Sequence, residues 1–490
     1  MNLKHTRLFS VATGLGLFLA SGTLQAKVTL PSLFSDNMVF QQKTKVPVWG
    51  RTDAGKTVSI TTSWNNKPVK GQADAAGNFK IFVNTPSYGG PYTVSISDGE
   101  ELTLKNILVG DVWVCSGQSN MEMPLAGWGK INNYEQEIKD ANYPKIRLLQ
   151  GVHVTSNKPL DDAKVTNGGW TECTPQYIGE FSSVAYFFAR EITRKTGIPI
   201  GLIHTSWGGT IAEAWTSAET LRTLPDFSER LAKIQGNPDD TSEKNNPNRV
   251  SVLYNAMIHP YIQFPVKGAI WYQGESNADR ANQYRTLFPA MIKDWRTKWG
   301  VGDFPFYFVQ LANFMKTDDQ PVDSKWAELR DAQKQTLSLK NTGMAVIIDV
   351  GDAADIHPKN KQDVGKRLAY IALAKNYGVK IPYSGPAFKS QQVSGNTIRL
   401  NFTDTYGGLK ARDGAELKGF AIAGADRKFY WAKATIQGNQ VVVSSDEVTN
   451  PVAVRYAWAN NPPSTLYNDA DLPASPFKTD NWTDVTTGQK

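Results

Sequence analysis

The spacing of apolar positions changes along the chain, and each change marks a region. Residues 8–20 form one uncharged run of apolar and small side chains, behind Lys4 and Arg7 and ahead of Leu24-Gln25-Ala26. A basic start, a short apolar run and small residues at its end predict a secretory signal peptide over residues 1–26. From residue 27 to about 104 the period is two. Val46-Pro47-Val48-Trp49, Val58-Ser59-Ile60 and Tyr92-Thr93-Val94-Ser95-Ile96 are separated by turns such as Asp74-Ala75-Ala76-Gly77 and Ser97-Asp98-Gly99. Several short strands at this spacing predict an N-terminal, sandwich-like β-domain.

Near Ile107 the pattern becomes continuous. Ile107-Leu108-Val109 and Val112-Trp113-Val114 read as a strand buried on both faces. Helical and strand periods then alternate. Helices are predicted over 182–195, 250–262, 282–299, 325–339 and 361–377, with strands at 199–206, 267–272, 304–311 and 344–350. Repeated βα units of this size predict an α/β domain over 105–380, a parallel sheet covered by helices. After Gly378 period two returns at 393–402, 419–422 and 440–444, which predicts a C-terminal β-domain over 381–457. The Pro- and Asn-rich 458–490 reads as an ordered tail packing back on the α/β domain.

Composition narrows this picture. The chain has 490 residues, enough for two or three domains with real cores. Its formal charge of +7 falls to +5 without Lys4 and Arg7, and no Lys/Arg run forms an arm, so no nucleic-acid partner is expected. No later stretch reaches about 18 uninterrupted apolar residues. The expectation is an exported protein, periplasmic or extracellular, with no integral membrane segment after cleavage. Cys115 and Cys173 could pair after export or stay two buried thiols. They lack zinc-ligand spacing, and no metal is expected.

The polar residues that break the apolar strands fall at strand ends. Gly117-Gln118-Ser119-Asn120 follows the first buried strand and Ser206-Trp207-Gly208-Gly209-Thr210 the second. Tyr272-Gln273-Gly274-Glu275-Ser276-Asn277 follows the third, and the loop from Asp349 through Asp352, Asp355, Ile356 and His357 to Pro358 the last. In open α/β sheets ligands bind beyond the carboxyl ends of strands. A serine hydroxyl becomes a nucleophile once a base takes its proton, and histidine suits that task near neutral pH. Beyond residue 26 the chain has four histidines: His153, His204, His259 and His357. Only His357 sits in a strand-end loop beside acids. His204 and His259 lie inside predicted elements and read as structural, and His153 as a surface residue. Ser119 is therefore the candidate nucleophile and His357 its base. Asp355, Asp352 and Glu275 are the candidates to orient the imidazole, with a turn-capping role equally natural for Asp352. Backbone N–H groups of Ser119 and of Gly208 or Gly209, with the Asn277 side chain, are candidate oxyanion donors. Gln118 stands beside them as a substrate contact. Trp113 and Trp271 read as core, whereas Trp128 and Trp207 are candidates to stack on a ligand. Tyr467-Asn468 in the tail is placed to fold over the site.

At these residues the chain resembles the SGNH/GDSL hydrolase superfamily, and within it the sialate O-acetylesterase family of carbohydrate esterases. The resemblance rests on Leu33–Val39, on Val112-Trp113-Val114-Cys115-Ser116-Gly117-Gln118-Ser119-Asn120-Met121-Glu122, on Ser206–Thr210, on Trp271–Asn277 and on Asp355-Ile356-His357-Pro358. It implies a flavodoxin-like three-layer α/β/α SGNH hydrolase domain with flanking β-sandwich-like domains. It implies an activity removing acetyl groups from sugar hydroxyls without a cofactor. It places the superfamily's serine at Ser119, its glycine at the Gly208-Gly209 pair, its asparagine nearest Asn277 and its histidine at His357. One feature departs: the superfamily's aspartate stands three residues before the histidine, where this chain has Ala354, and the acid is Asp355. Acetylated sialic acids are the expected substrate. Acetylated plant glycans such as xylan are the alternative within enzymes, and a non-catalytic glycan-binding protein is the alternative outside them. A sialate carboxylate would favour a guanidinium, and Arg280 and Arg330 lie nearest the motifs in sequence.

Overall fold

A computed structural model describes residues 28–236, 245–414 and 416–490. The signal-peptide reading of residues 1–26 falls outside them. One strand organises the rest. Glu101–Gly117 pairs antiparallel with Gly89–Ser97 through its first half and parallel with Val39–Gln41 at Leu108–Gly110. From Ile107 onward every residue is buried, and this half becomes the central strand of a parallel sheet. The order across that sheet is Thr342–Ala345, Phe306–Val309, Gly268–Tyr272, Glu101–Gly117, Ile200–Ser206, Tyr143–Gln150, with Thr171–Cys173 antiparallel at the edge. The division at residues 104/105 runs inside the long strand, and one hydrophobic core continues across it from Val28 to Leu373. The C-terminal β-region has a core of its own, completed by Leu466, Ala474 and Phe477 of the tail.

Helices flank the sheet in pairs, Ser183–Thr196 against Lys361–Asn376 and Ala281–Trp299 against Lys325–Gln335. Their ends follow local chemistry. Ser182 and Ser324 cap helix N-termini by accepting from Ala185 N and Ala327 N, and Gly197 and Gly300 end helices in the left-handed region. The tail returns to these helices: Glu328 accepts from the backbone of Val485 and Thr486, and Arg285 pairs with Asp484.

Several elements differ from expectation, each for a local reason. Residues 250–262 form a π-turn at Tyr254–Ile258 and a 3-10 turn at His259–Tyr261, where Pro260 has no N–H to continue a regular helix. The strand expected at 344–350 stops at Ala345, and 393–402 is a hairpin that turns at Gly395, whose φ is +61°. Tyr143–Gln150 was not expected, because Arg147 interrupts its apolar run. Arg147 is buried, and carbonyls of Asn37, Pro144 and Asn106 satisfy its guanidinium. Cys115 and Cys173 are both buried free thiols. Among the described residues no helix is long and apolar enough to cross a membrane.

Candidate active site

Three strands end in one row. Gly117 lies level with Ser206 on one side and with Tyr272 on the other. A Cβ at Gly117 would lie 2.1 Å from the Tyr272 carbonyl oxygen, and its φ of +143° suits only glycine. The chain can thus turn sharply between tightly paired neighbours and present Ser119 at the start of the short helix Ser119–Glu122. Gln118 fastens this turn: its backbone N–H donates to Tyr272 O, and its Oε1 accepts from Gly274 N and Ser276 N. Gln118 is buried, and its amide nitrogen has no protein acceptor among the described residues. Gly208 is packed against the serine, where an added Cβ would stand 3.2 Å from Ser119 Cβ.

The last loop delivers the candidate base. His357 Nε2 lies 2.9 Å from Ser119 Oγ. Asp355 Oδ1 accepts from the backbone N–H of His357 at 2.8 Å and stands 3.6 Å from its Nδ1. Asp352 instead accepts from Ala354 N at 2.8 Å, the turn-capping role. Glu275 is not brought to the imidazole; its Oε1 accepts from Asn120 Nδ2 at 2.6 Å. The exposed Trp128 meets His357 edge to face, 5.3 Å between ring centres. Hydroxyl, imidazole and carboxylate in this sequence form an arrangement able to pass a proton from serine to histidine and hold the resulting cation. Among the described residues no group of three His, Cys, Asp or Glu side chains is arranged to hold a metal ion.

The family model described as a carbohydrate esterase, sialic acid-specific acetylesterase, matches residues 109–374. A mouse sialate O-acetylesterase is 31% identical over 508 residues, covering 91% of this chain and 93% of the mouse protein. The human one is 30% identical, covering 91% of each. A solved carbohydrate acetylesterase from Xanthomonas citri is 41% identical with a TM-score of 0.84, covering 93% of this chain and 100% of that one. The chain belongs to the sialate O-acetylesterase family. It is a carboxylic ester hydrolase that deacetylates carbohydrate.

In this esterase two expected oxyanion donors are differently employed. Asn277 is buried, donates to Glu213 Oε2 at 3.0 Å, and accepts from Ala212 N and Gln273 Nε2. It braces two loops. The Gly208 N–H donates to Glu122 Oε2 at 2.6 Å. The backbone N–H groups of Ser119 and Gly209 donate to no protein atom among the described residues, and Gly209 lies in open space with a φ of +71°.

Four side chains around the serine had no role from the sequence. Glu122 stands one helical turn after Ser119 and pairs through Oε1 with His153 Nε2 at 3.1 Å. His153 is not an unsupported surface residue, for its ring lies flat on Trp207 at 4.3 Å. Burial pushes the Glu122 carboxyl up, but His153 and the Gly208 N–H outweigh it and hold it below the usual range. The other two are Asn120 and Lys361. Lys361 Nζ donates to Asn120 Oδ1 at 2.6 Å, and Asn120 Nδ2 donates to both Glu275 and the carbonyl of Ile356, next to His357. Burial lowers Lys361 to about 7 and raises Glu275. Burial and the Lys361 ammonium together hold the His357 imidazole below its ordinary value, against the pull of Asp355. Spacing from Ser119 could have drawn attention to Glu122; nothing local marks Lys361, which is 241 residues from Asn120.

The remaining histidines are structural. His204 Nε2 contacts Ser206 Oγ at 2.6 Å and burial lowers its pKa to about 4, while His259 Nδ1 contacts Leu160 O. The two acids of the last loop are separable in solution. Asp355→Asn is expected to lower kcat for p-nitrophenyl acetate by about 10²-fold, less than the ~10⁴ that follows when a buried triad aspartate is replaced, because Asp355 is half exposed. Asp352→Asn should leave kcat nearly unchanged. Equal losses in the two variants would overturn this assignment.

Proposed function

We propose that the esterase removes O-acetyl groups from sugars through an acetyl-serine intermediate on Ser119. The 2.9 Å contact between Ser119 Oγ and His357 Nε2 carries the reading. His357 takes the hydroxyl proton as Oγ adds to the acetyl carbonyl, and Asp355 steadies the imidazolium. The oxyanion meets the unengaged N–H groups of Ser119 and Gly209. His357 then returns the proton to the departing sugar oxygen, which leaves acetyl-Ser119. Water, deprotonated by the same imidazole, releases acetate and restores the hydroxyl. Trp128, exposed beside His357, offers a face on which a sugar ring stacks.

Acetylated sialic acids are the proposed substrate, in line with the description of the matching family. The environment of the two arginines favours a second reading, acetylated neutral glycans such as xylan. Arg280 is engaged by Glu213 and Gln283, and Arg330 is fully buried, where it donates to the carbonyls of Leu311, Ala312, Ala459 and Asn460. Neither guanidinium is free for a sugar carboxylate, and the charged groups lying against Ser119 and His357 at the surface are Glu122 and Asp355. Acetate release from O-acetylated mucin sialic acids and from acetylated xylan tests both. Faster release from mucin supports the first reading, faster release from xylan the second, and release from neither sinks the sugar assignment. Export of the mature chain, from residue 27 onward, belongs to the same proposal and rests on the residue 1–26 pattern.

A further inference from the structure

The C-terminal β-region carries an opening that chemistry at Ser119 does not use. It is a cavity of about 310 Å³ walled by Phe429, Trp431, Trp458 and Trp482, with Arg427 and Asp323 among its polar groups. This volume lies at the low end of the ~300–1,000 Å³ of small-molecule sites, which are typically aromatic with a few polar groups. Trp458 is buried, but the other three rings are not packed away as in a core. Trp431 is 36% exposed and Trp482 half-buried. Trp431 is nonetheless fixed, because its indole N–H donates to Asp319 O at 2.8 Å. Phe429 and Trp482 stand 5.4 Å apart at 55°, so their faces are offset from full mutual contact.

The polar groups are also in an unusual state. Buried indole N–H groups usually find an acceptor, as Trp170, Trp215, Trp295 and Trp299 do here. Trp458 is only 7% exposed, yet among the described residues neither its N–H nor that of Trp482 has an acceptor. Arg427 forms no ion pair among the described residues; its guanidinium lies over Trp482, 5.6 Å from the ring centre. Arg455, by contrast, is fully engaged by Asp480 and Asp323. Arg455 lies over Phe429 and Trp458 and Arg427 over Trp482, so the open aromatic face is that of Trp431. That face, with unengaged N–H donors near it, matches a pyranose, whose C–H face is apolar and whose edge is hydroxyl.

Position ties the cavity to the esterase site. Residues 321–323 of its wall, and Asp319, belong to the loop that leaves the carboxyl end of strand Phe306–Val309. The same loop reaches the histidine loop, where Asn313 Oδ1 accepts from Gly351 N at 2.7 Å. One loop therefore links part of the cavity wall to the histidine loop.

We propose that this cavity is a second, non-catalytic carbohydrate-binding site that takes a pyranose ring of the same glycan whose acetyl group is removed at Ser119. It rests on the carbohydrate activity of the family and not on the identity of the nucleophile. The test compares wild type, Trp431→Ala and Arg427→Ala on soluble acetylated xylan, O-acetylated mucin and p-nitrophenyl acetate. Native electrophoresis through gels holding each polymer reads binding directly. Trp431→Ala is expected to raise KM about tenfold on the polymer that retards wild type, with kcat unchanged, and to abolish most of that retardation. Trp431→Tyr, which keeps a stacking face, should restore it. Kinetics on p-nitrophenyl acetate should be unaltered in every variant. Unchanged KM and retardation on both polymers would overturn the proposal. So would parallel losses on polymer and p-nitrophenyl acetate in both the tryptophan and the arginine variants. The retarding polymer distinguishes a plant glycan from a mucin glycan as the source of the ring.

Discussion

Ser119→Ala is expected to lower kcat for p-nitrophenyl acetate by about 10⁶-fold, and His357→Ala by nearly as much. As the proposed nucleophile and base, the two side chains should act as one unit. Oγ is a poor nucleophile until Nε2, 2.9 Å away, takes its proton. The double variant should therefore be hardly worse than either single one, whereas independent contributions would multiply. Some acceleration over water should survive, because the N–H groups of Ser119 and Gly209 remain in place to meet an oxyanion. Folding should not be at issue: Ser119 is half-buried, and His357 is its hydroxyl's hydrogen-bond partner. Thermal unfolding of Ser119→Ala beside wild type checks this. Full activity in Ser119→Ala would remove the serine from the mechanism, and a multiplicative double variant would remove the claim that the pair works together.

The second large effect is expected at Lys361, a residue that meets no substrate. It is fully buried and donates to Asn120, which in turn holds Glu275 and the Ile356 carbonyl. Lys361→Met leaves Glu275 without its nearby cation. Loss of one partner from a buried charge network costs about 3–5 kcal/mol, and the low end is expected because Glu275, already pushed up by burial, can take up a proton. Thermal unfolding measures this. Activity should fall further than stability explains. Asn120 holds the residue before His357, and a 1 Å displacement of a catalytic group can cost ~10²-fold.

The pH profile separates these effects. His357 must be neutral to act as base, so rate is lost as pH falls through its pKa. Burial and Lys361 hold that value below 6.5, and the acid limb of kcat/KM should lie below pH 6.5 in wild type. Removing the lysine removes a cation that opposes imidazolium, so the limb should move upward in Lys361→Met. Lys361→Arg keeps the charge and should leave the limb near its wild-type position. A limb that stays in place in Lys361→Met would reduce the lysine to a purely structural part.

The βα alternation, the β-rich flanks and the position of Ser119 and His357 on strand-end loops were legible along the chain. Each is announced by a local pattern, because the period of apolar positions reflects which faces are buried and a Gly-bearing polar stretch reports a strand end. Asp352 and Asp355, five and two residues before the histidine, were both candidates by sequence. Loop geometry separates them: one oxygen of Asp355 serves both the backbone and the ring of His357, while Asp352 is spent on its own turn. The tertiary structure alone sent Asn277 to Glu213 and Glu275 to Asn120, and brought Lys361 and His153 beside the serine. A hydrogen bond acts over about 3 Å, whatever the separation along the chain. Sequence can place such groups on the same sheet edge, but which donor meets which acceptor is decided only when distant loops pack together.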